Sequence, residues 1–173
     1  GLSFRGPVTL GYIPAGIGSN LARSLKLPKD PARGLKRILE GKIVKQLDYG
    51  ILSYECGQPV HRRFLISCGI GLDAQVCQRM LAAQESQGRW PRLPGRLDFI
   101  LKGIVQTLCA RPVKGYLVLD GSRKIEFNHI YFISAHIQPF EGAGLKLAPA
   151  ADGSDGFLEI CVVHNSVRRQ LLP

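Results

Sequence analysis

No two cysteines in this chain stand in a C-x-x-C pair, and the four histidines show neither H-x-x-x-H nor H-E-x-x-H spacing. Those gaps argue against a zinc centre and a dithiol redox site, so no metal is expected on the protein's own side chains. The five cysteines, Cys56, Cys68, Cys77, Cys109 and Cys161, are scattered, odd in number and several sit inside apolar runs. With no secretory signal in view, they read as reduced small hydrophobes in a cytoplasmic setting rather than a disulfide framework. No apolar run approaches the roughly 20 residues that cross a bilayer, so membrane contact is expected to be peripheral. Internal repeats and low-complexity tracts are lacking too.

What the sequence does have is positive charge. Lys and Arg outnumber Asp and Glu by 23 to 13, a net charge of +10 and an isoelectric point near 9.7. Such a surface favours anionic partners: nucleic acid, lipid headgroups or nucleotide phosphates. Hydrophobic residues make up 45% of the 173 residues, which suits one sizeable folded core.

Patterning changes along the chain. "VTLGYIPAGIGSNLARSL" reads as strand, glycine turn and helix, the start of an α/β unit without its preceding strands, so the N-terminus is expected to be a cut edge. "DPARGLKRILEG" has a cap at Asp30, a first-turn proline at Pro31 and a stop at Gly41. After Gly41 strand texture takes over in "KIVKQLDYGILSYE" and "VHRRFLISCGIGLD". Two helices are expected within it, near 73–84 and 96–109. The first has Asp73 as N-cap and Val76, Met80 and Leu81 as its apolar stripe. "VKGYLVLDG", "KIEFNHIYFISAH" and "GFLEICVVHN" then read as three further strands, the last beginning at Phe157. The expected architecture is α+β: a mainly antiparallel β-sandwich or barrel-like domain over 43–173 with two packed helices. It follows a short α/β remnant over 1–42.

Three stretches could carry chemistry. In "PAGIGSNLAR", Gly16 and Gly18 let backbone N–H groups approach an anion ahead of a helix N-terminus, although as a lone pattern an ordinary strand-to-helix turn is the better reading. "CGIGLDA" reads as a turn and a cap. "ADGSDGFLEICVV" sets Asp152 and Asp155 among glycines before a strand, which suits a tight turn or a presented carboxylate. A basic nucleic-acid-binding module would explain the charge, but basic stretches interleaved with exposed aromatics are lacking, so no nucleic-acid partner is expected.

Order along the chain adds to these weak signals. "GYIPAGIGSNLAR", "KQLDYG", "RRFLISCGIGLDAQV", "PGRLDFILKGI", "GAGLKLAPAA" and "SDGFLEICVV" together resemble the diacylglycerol kinase-like lipid kinase family, from about Leu10 to Val163. The resemblance implies an upstream Gly-Gly-Asp-Gly-Thr nucleotide loop and ATP with Mg2+ as cofactors. It implies a lipid hydroxyl as acceptor, diacylglycerol- or sphingoid-like, at an anionic membrane surface. It places Gly16, Ile17, Gly18 and Asn20 in the nucleotide site, with Ile17 where the family has threonine and Ser19-Asn20 where it has Asn-Asp. It makes Asp155 the base, and His136 or a neighbour the counterpart of an asparagine before the glycine turn. The isolated chain is expected to be inactive as a kinase. A non-catalytic lipid- or anion-binding module of the same fold is the alternative.

Overall fold

A computed structural model describes residues 9–15, 19–85, 111–141 and 144–165. Asp30 and Gly41 bracket its clearest helix. The Asp30 carboxylate accepts from Ala32 N–H at 3.3 Å and Arg33 N–H at 3.2 Å, satisfying two donors that a helix start leaves open. Gly41 closes the other end in the left-handed region at φ 60°. This helix, Pro31–Glu40, is α2; before it, α1 is a single short turn of helix, Asn20–Ser24. The strand expected ahead of α1 is not formed over 9–15, which run without regular structure. Gly11 instead lies under Ile38 of α2, where a Cβ would come within 2.9 Å of Cγ2.

Among the described residues all strand pairing is antiparallel. β1 (Gly50–Cys56) and β2 (Gln58–Phe64) form a two-stranded sheet, with Gly50 opposite Phe64 and Cys56 opposite Gln58. The expected strand before it is only half realised: Lys42 to Tyr49 stay irregular. The reason is that Asp48 spends its hydrogen bonds elsewhere. Its N–H donates to Gly153 O at 2.8 Å, a partner on a distant loop instead of a neighbouring strand.

The larger sheet is built on β5 (Arg123–His136), 14 residues long and flanked by β3 (Ser67–Gly71), β4 (Val113–Leu119) and β6 (Glu159–His164). Ile130 pairs with Val113 on β4 and His164 on β6, so those strands lie on opposite edges. Residues 132–136 pair with both β3 and β6, which puts β3 and β4 end to end along one edge. The β4–β5 turn falls at Asp120-Gly121, both at positive φ, 50° and 68°, and Ser122 N–H closes it on Leu119 O at 3.1 Å. That mirror-image turn matches the twist of the two strands. Neither sheet closes on itself, so the sandwich-like expectation holds and the barrel does not.

Among the described residues, one helix packs on this sheet. α3 (Leu72–Glu85) begins straight after Gly71, whose φ of 97° turns the chain off the strand. A side chain at Gly71 would run into Tyr131 O and stand 3.0 Å from Phe132 Cα. The helix therefore starts one residue earlier than expected, and Asp73 lies in its first turn instead of capping it. Leu72 and Val76, one turn apart, are buried against Tyr131 and Phe132. Leu81 is 60% exposed and does not join that stripe. The Met80 side chain and the helix expected near 96–109 lie outside the described residues. β6 likewise begins at Glu159, two residues later than expected. Phe157 and Leu158 are exposed, because Phe157 N–H is already bound by the Asp155 carboxylate.

Candidate functional site

The loop before β6 is held by side chains reaching in from far along the chain. Asp48 accepts from Gly156 N–H at 2.8 Å through Oδ2, across a separation of 108 residues. Together with its own N–H on Gly153 O, this clamps both ends of the Gly153–Gly156 turn to one residue. Gly156 sits at φ 77°, a conformation open to glycine at little cost. Gly153 is required for a different reason: a Cβ there would overlap the Gln138 amide.

Within the loop the two carboxylates do different work. Asp152 Oδ1 accepts from Ser154 N–H at 3.2 Å and from Ser154 Oγ–H at 2.7 Å, so it closes the turn. Asp155 Oδ1 accepts from Phe157 N–H at 2.9 Å, a local bond that fixes its side chain against the start of β6. Asp155 is exposed, and among the described residues it has no ion pair and no second donor. Glu159 is also exposed, at the first position of β6 and opposite His136 in register. Both carboxylates of this loop face outward with one oxygen held by a loop donor and the other open; Asp155 is the one held against the approach to β6.

The helical motif near the N-terminus comes to the same region. Arg23 of α1 lies over the Phe140 ring at 5.5 Å, and its guanidinium carbon sits 2.6 Å from where a Cβ on Gly144 would be. Arg23 and Gly144, over a hundred residues apart, are therefore in contact. Asn20, the first residue of α1, keeps its Oδ1 buried with no hydrogen-bond partner among the described residues. Gly16, Ile17 and Gly18 lie outside the described residues, so the structure does not place them beside Asp155.

At the buried polar end of β5, the family resemblance singled out His136 or a neighbour, whereas Ser134 and Gln138 carried no signal of their own. Ser134, His136 and Gln138 are 1%, 0% and 3% exposed. Ser134 Oγ and His136 Nε2 share a hydrogen bond of 2.8 Å, and Glu141 Oε2 stands 3.4 Å from the same nitrogen. His136 is thus a buried group held between Ser134 and Glu141. Ile137 N–H and Gln138 N–H both donate to Ile66 O, at 2.8 and 3.1 Å, anchoring this end of the strand. Beside the cluster, burial pushes the Cys68 and Cys161 thiols above their ordinary range, with a Ser134 hydrogen bond partly offsetting the effect at Cys161. Both remain protonated at neutral pH and are poor nucleophiles. Asp48 could have been found from its place in "KQLDYG", whereas Gln138 carried no signal beyond its position in an apolar strand end.

A cleft of about 670 Å³ opens beside the loop, bounded by the end of α1, residues 45–47 and residues 150–154. Its size is that of a small-molecule site.

Comparison with known proteins agrees with this architecture. Residues 67–173 match the family described as the YegS C-terminal NAD kinase beta sandwich-like domain. The chain is 30% identical over 166 residues to a diacylglycerol kinase of Mycobacterium tuberculosis, covering 95% of this chain and 50% of that protein. To a Chromohalobacter salexigens protein named "Probable lipid kinase YegS-like" it is 27% identical over 157 residues, covering 90% of this chain and 45% of that one. The chain thus spans about half the length of these curated relatives. In fold it resembles a crystal structure of a diacylglycerol kinase from Bacillus anthracis, with a TM-score of 0.62 at 23% identity over 94% of this chain and 47% of that one. With the family match covering well over half of its length, this chain belongs to the YegS C-terminal, NAD kinase beta sandwich-like family.

Proposed function

We propose that this chain is the acceptor-lipid part of an ATP-dependent lipid kinase, with Asp155 as the base that takes the proton from the lipid hydroxyl. The observation that carries the reading is the double clamp of Asp48 on Gly153 and Gly156, which fixes an outward carboxylate at the head of a strand. Precise placement of a base on a rigid element is what proton transfer requires. The kinase names of the relatives supply the reaction class.

ATP would supply the γ-phosphoryl group, and transfer of that group depends mainly on positioning and charge neutralisation. Asn20 fits a nucleotide in a limited way: its orphaned Oδ1 is an acceptor, suited to a ribose hydroxyl or an adenine amino group and not to a phosphate. Arg23 supplies positive charge near the glycine turn. Mg2+ would arrive with the nucleotide and offset the charge on its phosphates. Asp155 would accept the hydroxyl proton on Oδ2 while Phe157 N–H holds Oδ1 in place.

In this reading residues 1–42 end the nucleotide-binding part and residues 43–173 form the lipid-facing part. The net charge of +10 draws the protein to an anionic membrane surface from the cytoplasm, each basic side chain near the surface adding about 1 kcal/mol. A polypeptide of kinase length carrying this chain is expected to phosphorylate 1,2-dioctanoyl-sn-glycerol or sphingosine with ATP, and the 173 residues alone to phosphorylate neither. No ATP-dependent turnover of either lipid by the longer polypeptide would overturn the kinase reading in favour of the non-catalytic module.

A further inference from the structure

Gly153 is buried, whereas Asp152 before it and Ser154, Asp155 and Gly156 after it are exposed. The Gln138 amide fills the space that a Cβ on Gly153 would need, with Cδ 2.9 Å from that point. Glycine is required here for room alone, since Gly153, unlike Gly156, is not at positive φ. The contact thus joins a residue without a side chain to one that reaches into the place left free.

Gln138 is built to act as a stop. It follows the end of β5 by two residues and is 3% exposed. Its N–H donates to Ile66 O at 3.1 Å, beside the Ile137 bond of 2.8 Å to the same oxygen. The end of the larger sheet therefore holds its backbone, and close packing leaves its side chain little freedom. Its Nε2 has no acceptor among the described residues, a desolvation cost that an apolar residue of the same size would avoid. Folded proteins keep few such groups, and this one presses on the loop that presents Asp155. Asp48 N–H holds the Gly153 carbonyl at 2.8 Å, and Gln138 occupies the direction of the missing Cβ. Gly153 is so located in two directions, and Asp155 stands only two residues further along the loop.

We infer that Gln138 is a positioning residue for Asp155: its amide is the stop on which Gly153 rests, and it sets where the loop carries the carboxylate. The inference rests on the lipid-kinase reading and adds to it a residue that acts through the loop backbone.

Steady-state turnover of 1,2-dioctanoyl-sn-glycerol with ATP by the kinase-length polypeptide tests it. Gln138→Ala is expected to lower kcat about tenfold and to leave KM for both substrates within about twofold, because a misplaced base costs rate and not ground-state binding. Adding Gly153→Ala, whose methyl takes up part of the space that Gln138 vacates, is expected to return kcat to within about threefold of wild type. Val76→Ala loses buried contacts with Tyr131 and Phe132 instead and is expected to keep wild-type kcat, which separates misplacement from lost stability. If Gln138→Ala does not fold, Gly153→Ala alone drives a methyl onto the amide and carries the test, with the same fall in kcat expected at unchanged KM. Wild-type kcat in the folded single variant under test overturns the assignment of Gln138, as does a double variant no faster than Gln138→Ala. Either result, together with turnover by wild type and its loss in Asp155→Asn, leaves the kinase reading intact. Wild type without turnover, or Asp155→Asn at full rate, removes the kinase reading or its base, and this inference with it.

Discussion

Replacing Asp48 with alanine removes the carboxylate that holds Gly156 N–H at 2.8 Å and leaves the backbone bond from residue 48 to Gly153 O in place. The lost bond has a charged acceptor, which sets an upper range of about 1.5–3 kcal/mol. The Gly156 end is solvent-exposed, so water takes over much of the lost interaction and the expected cost falls to about 1–1.5 kcal/mol. For a chain of this length each kcal/mol shifts the melting temperature by about 2–4 °C, giving a fall of about 2–6 °C. The local effect should be clearer than the global one. Opening of the Gly153–Gly156 turn becomes easier by the same free energy, so hydrogen exchange at the Gly156 amide rises about fivefold to tenfold. Thermal unfolding by circular dichroism and exchange read by NMR measure the two effects. A melting temperature within about 1 °C of wild type together with unchanged exchange at Gly156 would refute the clamp.

Gly71→Ala should cost about 2–4 kcal/mol in urea unfolding, since φ of 97° is strained for alanine and its Cβ meets Tyr131 O. Val76→Ala should cost about 1.5–2.5 kcal/mol for two buried carbons, whereas Leu81→Ala on the exposed side should stay within about 0.5 kcal/mol. Thiol labelling should mark the exposed Cys56 and Cys77 ahead of Cys161, because burial raises the latter's pKa. The folded state then keeps protons on Cys68 and Cys161 at pH values where the unfolded chain has released them. Stability is therefore full below the ordinary thiol value of 9.0 and declines as pH rises through it, a slope that Cys161→Ala should reduce in alkaline melts.

Where a local rule acted alone, the sequence was legible. The α2 caps and the Asp120-Gly121 turn follow from short-range chemistry, and each formed where its residues called for it, while the run "VHRRFLISCGIGLD" split into β2 and β3. Boundaries went astray where a distant group claimed a backbone bond. Asp48 left its expected strand for the loop at 153–156, and Phe157 N–H went to Asp155 instead of a ladder. Leu72 displaced Asp73 from the cap because Tyr131 and Phe132 offered it a buried seat. At the site, Asp155 could be picked out by its glycine neighbours and by the family resemblance. His136 was reached only through that resemblance, and Ser134 and Gln138 not at all: in and just past an alternating strand a buried polar residue looks like its solvent-facing neighbours until the fold shows which face is covered. The asymmetry between Asp152 and Asp155 likewise depends on where Ser154 and Phe157 place their N–H groups.

The most direct test of the account is turnover of 1,2-dioctanoyl-sn-glycerol with ATP by the kinase-length polypeptide, comparing Asp155→Asn with Asp152→Asn. Loss of a general base lowers kcat by about 10²–10⁴-fold. Asp155→Asn is predicted to show that loss while melting near wild type, since asparagine keeps an acceptor for Phe157 N–H. Asp152→Asn is predicted to keep kcat near wild type and to lose a little stability, because its carboxylate serves Ser154. A folded Asp155→Asn enzyme with near-wild-type kcat would contradict the account and reduce Asp155 to a turn residue.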